Sequence, residues 1–246
     1  MNTSRRTCAV ALCGLLLLAP VAQAANVIGT NNGETLTGSS SRDRLSGRGG
    51  NDTLNALAGN DSLNGGSGND SLNGGSGNDV AFGSSGNDAF NGSTGNDMLY
   101  GGSGNDTMSG VDGRDTAQGG SGDDIMSMGD GRDKALGGAG NDTAFGGIDG
   151  DRLDGQAGND HLYGDLGDDW IMGGTGLDAL TGGDGNDKIW AGTGADTVDA
   201  GAGDDTIDAG DGDGAVDVID CGEGTDSVSL QDGDTSQNCE EVILVS

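Results

Sequence analysis

An acidic residue recurs at every ninth position from Glu34 to Asp205, twenty times in succession without a slip. A strict repeat of that length has to be read as a stacked architecture before any helix or strand pattern is considered. After a three-residue insertion around Asp211 to Gly214, Asp217 and Asp226 resume the spacing. The segment Gly101–Ser109, GGSGNDTMS, shows one copy in full. Two residues before the acid stands glycine, as at Gly50, Gly59, Gly68, Gly104 and Gly203. Two residues after it stands an apolar residue, from Leu36, Leu45, Leu54, Leu63 and Leu72 to Ile171, Leu180, Ile189, Val198 and Ile207.

One apolar residue flanked by polar ones predicts a three-residue strand with its middle side chain facing in. The glycine-rich half predicts a tight turn through backbone angles that only glycine adopts cheaply. Two copies then make one coil of eighteen residues carrying two parallel sheets back to back. About ten such coils, stacked at about 4.8 Å, form a rod of roughly 45–50 Å. With 54 glycines in the chain, helix is excluded as the main element.

Residues 1–24 stand outside this pattern. Arg5 and Arg6, the apolar run from Thr7 to Ala19 and the small-x-small triplet Ala22-Gln23-Ala24 predict an export signal cut after Ala24. The apolar run is shorter than the about 20 residues a membrane span needs, and Leu12 before Cys13 is not the small residue of a lipoprotein site. Cleavage removes two basic residues and no acid, so net charge moves from -31 to -33. It leaves Cys221 and Cys239 as the remaining cysteines, which in an exported chain predicts one disulfide clamping the last coils. The boundaries follow: signal 1–24, partial opening coil 25–33 with Val27 nine residues before Leu36, roll 34–209, and a C-terminal capping segment 210–246 ending in Val242–Val245.

The charge excludes generic nucleic-acid binding, because no basic patch exists to meet phosphates. It disfavours anionic membranes for the same reason. Composition alone would predict disorder; the order of the residues overturns that.

The copies resemble the RTX (hemolysin-type) consensus G-G-x-G-x-D-x-U-x over about residues 34–230. The resemblance implies an all-β parallel β-roll, a right-handed β-solenoid of a stand-alone exported protein, with Ca²⁺ held between the turns of copies n and n+2 by carboxylates and turn carbonyls. The residues themselves point the same way. Acids eighteen apart, such as Asp70 and Asp88, stack on one edge, and two carboxylates about 5 Å apart repel by roughly 3 kcal/mol at an effective dielectric of 20. A hard divalent cation turns that repulsion into attraction, and Ca²⁺ accepts mixed carboxylate and carbonyl sets more readily than Mg²⁺. The core is too thin to ignore such a cost, since Ala81, Ala117, Ala135 and Ala144 hold inward positions. Asx-turns or solubility would explain some acids, but neither needs one in every copy.

The metal series on this reading is Asp52, Asp61, Asp70, Asp79, Asp88, Asp97, Asp106, Asp115, Asp124, Asp133, Asp142, Asp151, Asp160, Asp169, Asp178, Asp187, Asp196 and Asp205. Glu34 and Asp43 lack the glycine two residues before, and Asp217 and Asp226 adjoin the insertion, so these four fit the pattern less well. Two columns allow about nine inter-turn sites each.

The chain after Ala24 has one histidine, His161, and no HExxH motif or nucleophile–base pair. Paired carboxylates could serve a carbohydrate-active enzyme, but acids every nine residues make proximity uninformative, and no enzyme is expected. An ice-binding role on an RTX scaffold would use the Asn69, Asn78, Asn87, Asn96 and Asn105 row, which Arg114, Asp123 and Arg132 interrupt.

Six aromatics are expected to face outward. Four of them, Phe82, Tyr100, Trp170 and Trp190, fall on one sheet and offer a contact surface for a second copy, an envelope component or a glycan. Cross-strand pairing that stiffens the roll is the competing reading. The RTX family commonly leaves the cell by an uncleaved C-terminal signal; here the N-terminal signal departs from that, and periplasm, surface and medium all remain compatible.

Overall fold

The computed structural model describes residues 24–210, 212 and 214–245. The expected export signal lies, up to Gln23, outside the described residues. Twenty-five strands, β1 to β25 in chain order, run from β1 (Asn26–Ile28) to β25 (Glu241–Leu244), and no helix forms among the described residues. Odd-numbered strands make a 13-stranded sheet and even-numbered strands a 12-stranded one. Every pairing is parallel, and the register is one coil: Leu45 lies beside Leu63, Ala81 beside Leu99. The insertion adds three residues to one coil without breaking register, since Val198 lies beside Ile219.

The inward residues form a single apolar column between the sheets. Leu45, Leu54, Leu63 and Leu153 are fully buried, and Ala81, Ala117, Ala135 and Ala144 keep the inward place where the chain supplies no larger side chain. Phe90 is the one aromatic inside, at 5% exposure.

The interior strands are six residues long, not three. Ser62–Ser67 and Met98–Ser103 are examples. The first half of each glycine-rich segment stays extended and hydrogen-bonded to its neighbour, with Gly66 beside Ser84 and Gly102 beside Gly120. Only about three residues are left for the turn. Longer strands expose a second inward position, four residues after each acid. It is glycine in most copies, but Ala56, Met128, Ala191, Ala200, Ala209, Cys221 and Leu230 occupy it in others, all buried. Met128 adds volume in the stretch where Ala117, Ala135 and Ala144 leave the core thin. The signal was present in the sequence as an always small or apolar residue two places beyond the first inward one.

The C-terminal segment adds coils instead of folding across the end. Val228 lies beside Val242 and Leu230 beside Leu244, so β25 is the last strand of the 13-stranded sheet. Cys221 and Cys239 form a disulfide with Cα atoms 5.2 Å apart.

Candidate metal centre

Each turn is made of three residues, as in Gly104-Asn105-Asp106. Gly104 has φ +117°, and a Cβ there would overlap the Gly86 carbonyl of the coil before. Coils therefore approach each other so closely at the turns that only glycine fits, which explains its place two residues before the acid. Within the series Asp52 to Asp205, Asp149 is the exception, an aspartate with φ 75° two residues before Asp151.

The close approach brings the carboxylates into ladders. The Asp88 amide donates to Asp106 Oδ1 at 2.7 Å, and the Asp106 amide donates to Asp124 Oδ1 at 2.7 Å. The same bond repeats along both edges of the roll, each carboxylate accepting from the coil before it. Asn side chains one residue earlier run a second ladder in the opposite sense: the Asn87 amide donates to Asn69 Oδ1 at 3.0 Å. Alternate copies sit on opposite edges, so the asparagine row of an ice-binding plane divides into two, Asn69, Asn87 and Asn105 on one edge and Asn78 and Asn96 on the other.

The acids from Asp43 to Asp226 in the repeat series are no more than 4% exposed. From Asp52 to Asp187, and again at Asp205 and Asp226, Oδ2 is buried and receives no hydrogen bond. It points beneath the glycine five residues earlier: a Cβ on Gly101 would overlap Asp106 Oδ2 and crowd the Gly119 carbonyl oxygen as well. Two oxygens thus converge on space that only a missing side chain leaves open, and the motif recurs at Gly83 with Asp88 and Gly101, and at Gly119 with Asp124 and Gly137.

Burial is the main electrostatic consequence. It pushes Asp79, Asp115, Asp124, Asp151 and Asp187 up to about 7, against the downward pull of the backbone hydrogen bond each accepts. Asp88, Asp142, Asp169, Asp178 and Asp205 rise to about 6 for the same reason. Neighbouring carboxylates act in the same direction but more weakly, as Asp106 and Asp70 do on Asp88. The mutual repulsion expected from the spacing is therefore the smaller effect, because the coils desolvate each carboxylate before its neighbour is felt.

Buried oxygens that lack donors and repel one another suit a hard cation. Among the described residues no three His, Cys, Asp or Glu side chains converge, so such an ion would draw on turn carbonyls beside a carboxylate. That donor set, all oxygen and without nitrogen or sulfur, fits Ca²⁺.

Models of the RTX calcium-binding nonapeptide repeat match the chain in overlapping segments from residue 28 to residue 216. The chain belongs to that family. Among curated proteins no relative matches it. This RTX chain is thus a calcium-binding repeat solenoid of two parallel sheets.

The four acids that fit the pattern less well divide in two. Asp217 and Asp226 lie within the ladders, their Oδ1 atoms accepting from Asp196 and Asp205 at 2.8 Å across the insertion. Glu34 and Asp43 open the ladders, their amides donating to Asp52 Oδ1 at 2.8 Å and Asp61 Oδ1 at 2.6 Å, and Asp43 Oδ1 accepting the Ala25 amide. Unlike the later acids they also accept donors from their own turns, the Thr30 amide at Glu34 and the Ser39 amide at Asp43 Oδ2. Two members of the ladders were missed. The Asp217 amide donates to Asp234 Oδ1 at 3.0 Å and the Asp226 amide to Glu240 Oε2 at 2.9 Å. Their spacings of 17 and 14 residues break the repeat, so periodicity could not find them.

The outward aromatics stand where expected, and they pair. Phe82 stacks on Tyr100 with ring centroids 4.9 Å apart, and Phe145 on Tyr163 at 5.0 Å. Trp170 tilts against Trp190 at 5.6 Å, with the Lys188 ammonium 4.8 Å from the Trp170 ring centre. His161 is exposed on its strand.

Proposed function

We propose that this RTX protein is exported and folds as it binds Ca²⁺ between successive coils, serving a structural or adhesive role at a surface or in a matrix, without catalysis. The observation that carries the reading is the repeated buried Oδ2 with no hydrogen-bond donor. A protein that leaves one such oxygen in coil after coil is costly to fold alone, and a bound cation supplies the missing partner. The ligands would be the carboxylates of the series Asp52 to Asp205, with Asp217 and Asp226, each helped by carbonyls of the facing turn. Bound calcium supplies charge neutralisation. The chain supplies the spacing that brings a carboxylate to each turn.

Calcium titration followed by circular dichroism tests this. In chelator at about pH 8 the spectrum should be that of a disordered chain, and Ca²⁺ should produce β signal cooperatively with a midpoint near about 10⁻⁴–10⁻³ M, as in extracellular modules. Mg²⁺ should fail at the same concentration. A full β spectrum in chelator would overturn the coupled-folding account.

The pairing of the aromatic rings with each other supports a stiffening role for that sheet. Stacked neighbours contribute about 0.5–1.5 kcal/mol per pair beyond area burial, most useful where the inward residues are alanine. A partner of this molecule is better sought at its ends.

A further inference from the structure

The two ends of the roll are complementary. At the tail, β25 carries Val242 and Leu244 at the two inward positions, stacked on Val228 and Leu230 of the coil before. β25 is the edge strand of its sheet, and these inward side chains are 47% and 73% exposed. A cleft of about 490 Å³ lies between Leu244 and Val245 and the described insertion residues Gly212 and Gly214. At the head, the corresponding inward positions are Val27, only half-buried, and Gly29. The column thus begins with a small residue and ends with a large one.

The backbone matches in the same way. The amides of Glu241 and Val245 donate back to Asp226 and Leu230. Alternation along a strand leaves Val242 and Leu244 with N–H and C=O on the free edge. At the head, the Gly29 amide donates forward to Ser46 and the Arg44 amide reaches the Ala25 carbonyl. Asn26 and Ile28 therefore present their N–H and C=O outward. Both strands are edges of the same 13-stranded sheet and point the same way, so a second molecule shifted along the axis meets the first as one more parallel coil. Its Asn26 amide would face the Glu240 carbonyl, and its Val27 would sit on Val242.

Charge favours the same polarity. Exposed Arg42, Arg44 and Arg48 lie in the first coils, whereas exposed Asp232, Glu240 and Glu241 mark the tail, and no Lys or Arg follows Lys188. Head against tail brings opposite charges together; tail against tail brings only acids.

We propose that copies of this chain associate head to tail through β1 and β25, extending both sheets into a longer rod. The contact is heterologous and does not close, so it adds molecules at either end. It rests on the fold and not on how many calcium sites are filled.

The test uses protein purified from an exporting host, in saturating Ca²⁺, by sedimentation velocity over a hundredfold concentration range. Leu244→Asp blocks the tail and Val27→Asp blocks the head, with circular dichroism confirming that each variant keeps the roll. The unaltered protein should show mass rising with concentration, and less so in high salt. Each variant alone should remain monomeric at concentrations at least tenfold higher. Mixed together, the two should form a species of two molecules and no larger, because each retains one working end. Assembly abolished by Leu244→Asp but untouched by Val27→Asp would mean tail-to-tail pairing and overturn the proposal. So would an unaltered protein that stays monomeric throughout.

Discussion

At the scale of single residues, the carboxylate at the turn carries two opposed roles. Asp106 accepts the Asp88 amide through Oδ1 while leaving Oδ2 buried without a donor. Asn in its place keeps the acceptor and the shape, removes the charge that burial penalises, and sets an amide near the Gly119 carbonyl. Asp106→Asn is expected to stabilise the calcium-free roll by about 1–3 kcal/mol, the cost of one unsatisfied buried group. The same change should raise the calcium midpoint; the β signal left in chelator and the calcium titration midpoint, both by circular dichroism, would read the two opposite signs. Asp149 offers a second residue-level case. It holds a left-handed conformation where other copies have glycine, which costs an L-residue roughly 1–2 kcal/mol. Asp149→Gly should recover about 1 kcal/mol in denaturant unfolding, and it also removes a carboxylate that raises Asp151.

At the scale of the coil, each element contacts its neighbours on the two sides, so stability is a sum of nearest-neighbour terms. The disulfide matters locally for that reason. It joins Cys221, fully buried, to Cys239, eighteen residues on, and so holds the coils that follow the insertion. The chain-entropy model assigns such a loop about 3 kcal/mol. Replacing both cysteines by serine should speed hydrogen exchange from Val218 onward and leave the amides of Met98–Ser103 unchanged. Uniform acceleration along the whole roll would contradict the nearest-neighbour picture.

At the scale of the whole molecule, ten carboxyls held at about 6 or 7 make the calcium-free roll sensitive to pH. Their folded-state pKa values lie above the ordinary aspartate value of 3.8, so the folded state binds protons more tightly than the unfolded one. That stabilisation is fully present below about pH 4 and is lost as pH rises through 6 to 7. Calcium-stripped protein should therefore show most β structure near pH 4 and least at pH 8, by circular dichroism. Calcium acts in the opposite direction, since it competes with the same protons, and its midpoint should fall as pH rises. A calcium-free roll that strengthens between pH 5 and 8 would refute the assignment of buried, proton-hungry carboxylates.

The nine-residue period by itself determined the solenoid, the two-sheet alternation, the inward series from Leu36 to Ile207, the outward aromatics and the carboxylate columns. Each of these follows from local position within a copy, and translation along the axis repeats it. The two remaining cysteines likewise pointed to their own pairing. What only the tertiary structure decided depends on the neighbouring coil. The length of the strands, the second inward position, the burial that outweighs repulsion at Asp88 and the division of the asparagines between two edges are of this kind. The recruitment of Asp234 and Glu240 to finish the ladders is too, because those residues reach the column through space from outside the period. So is the exposure of Val242 and Leu244: an inward residue is buried only where a further strand pairs on its far side, and β25 is the edge of its sheet.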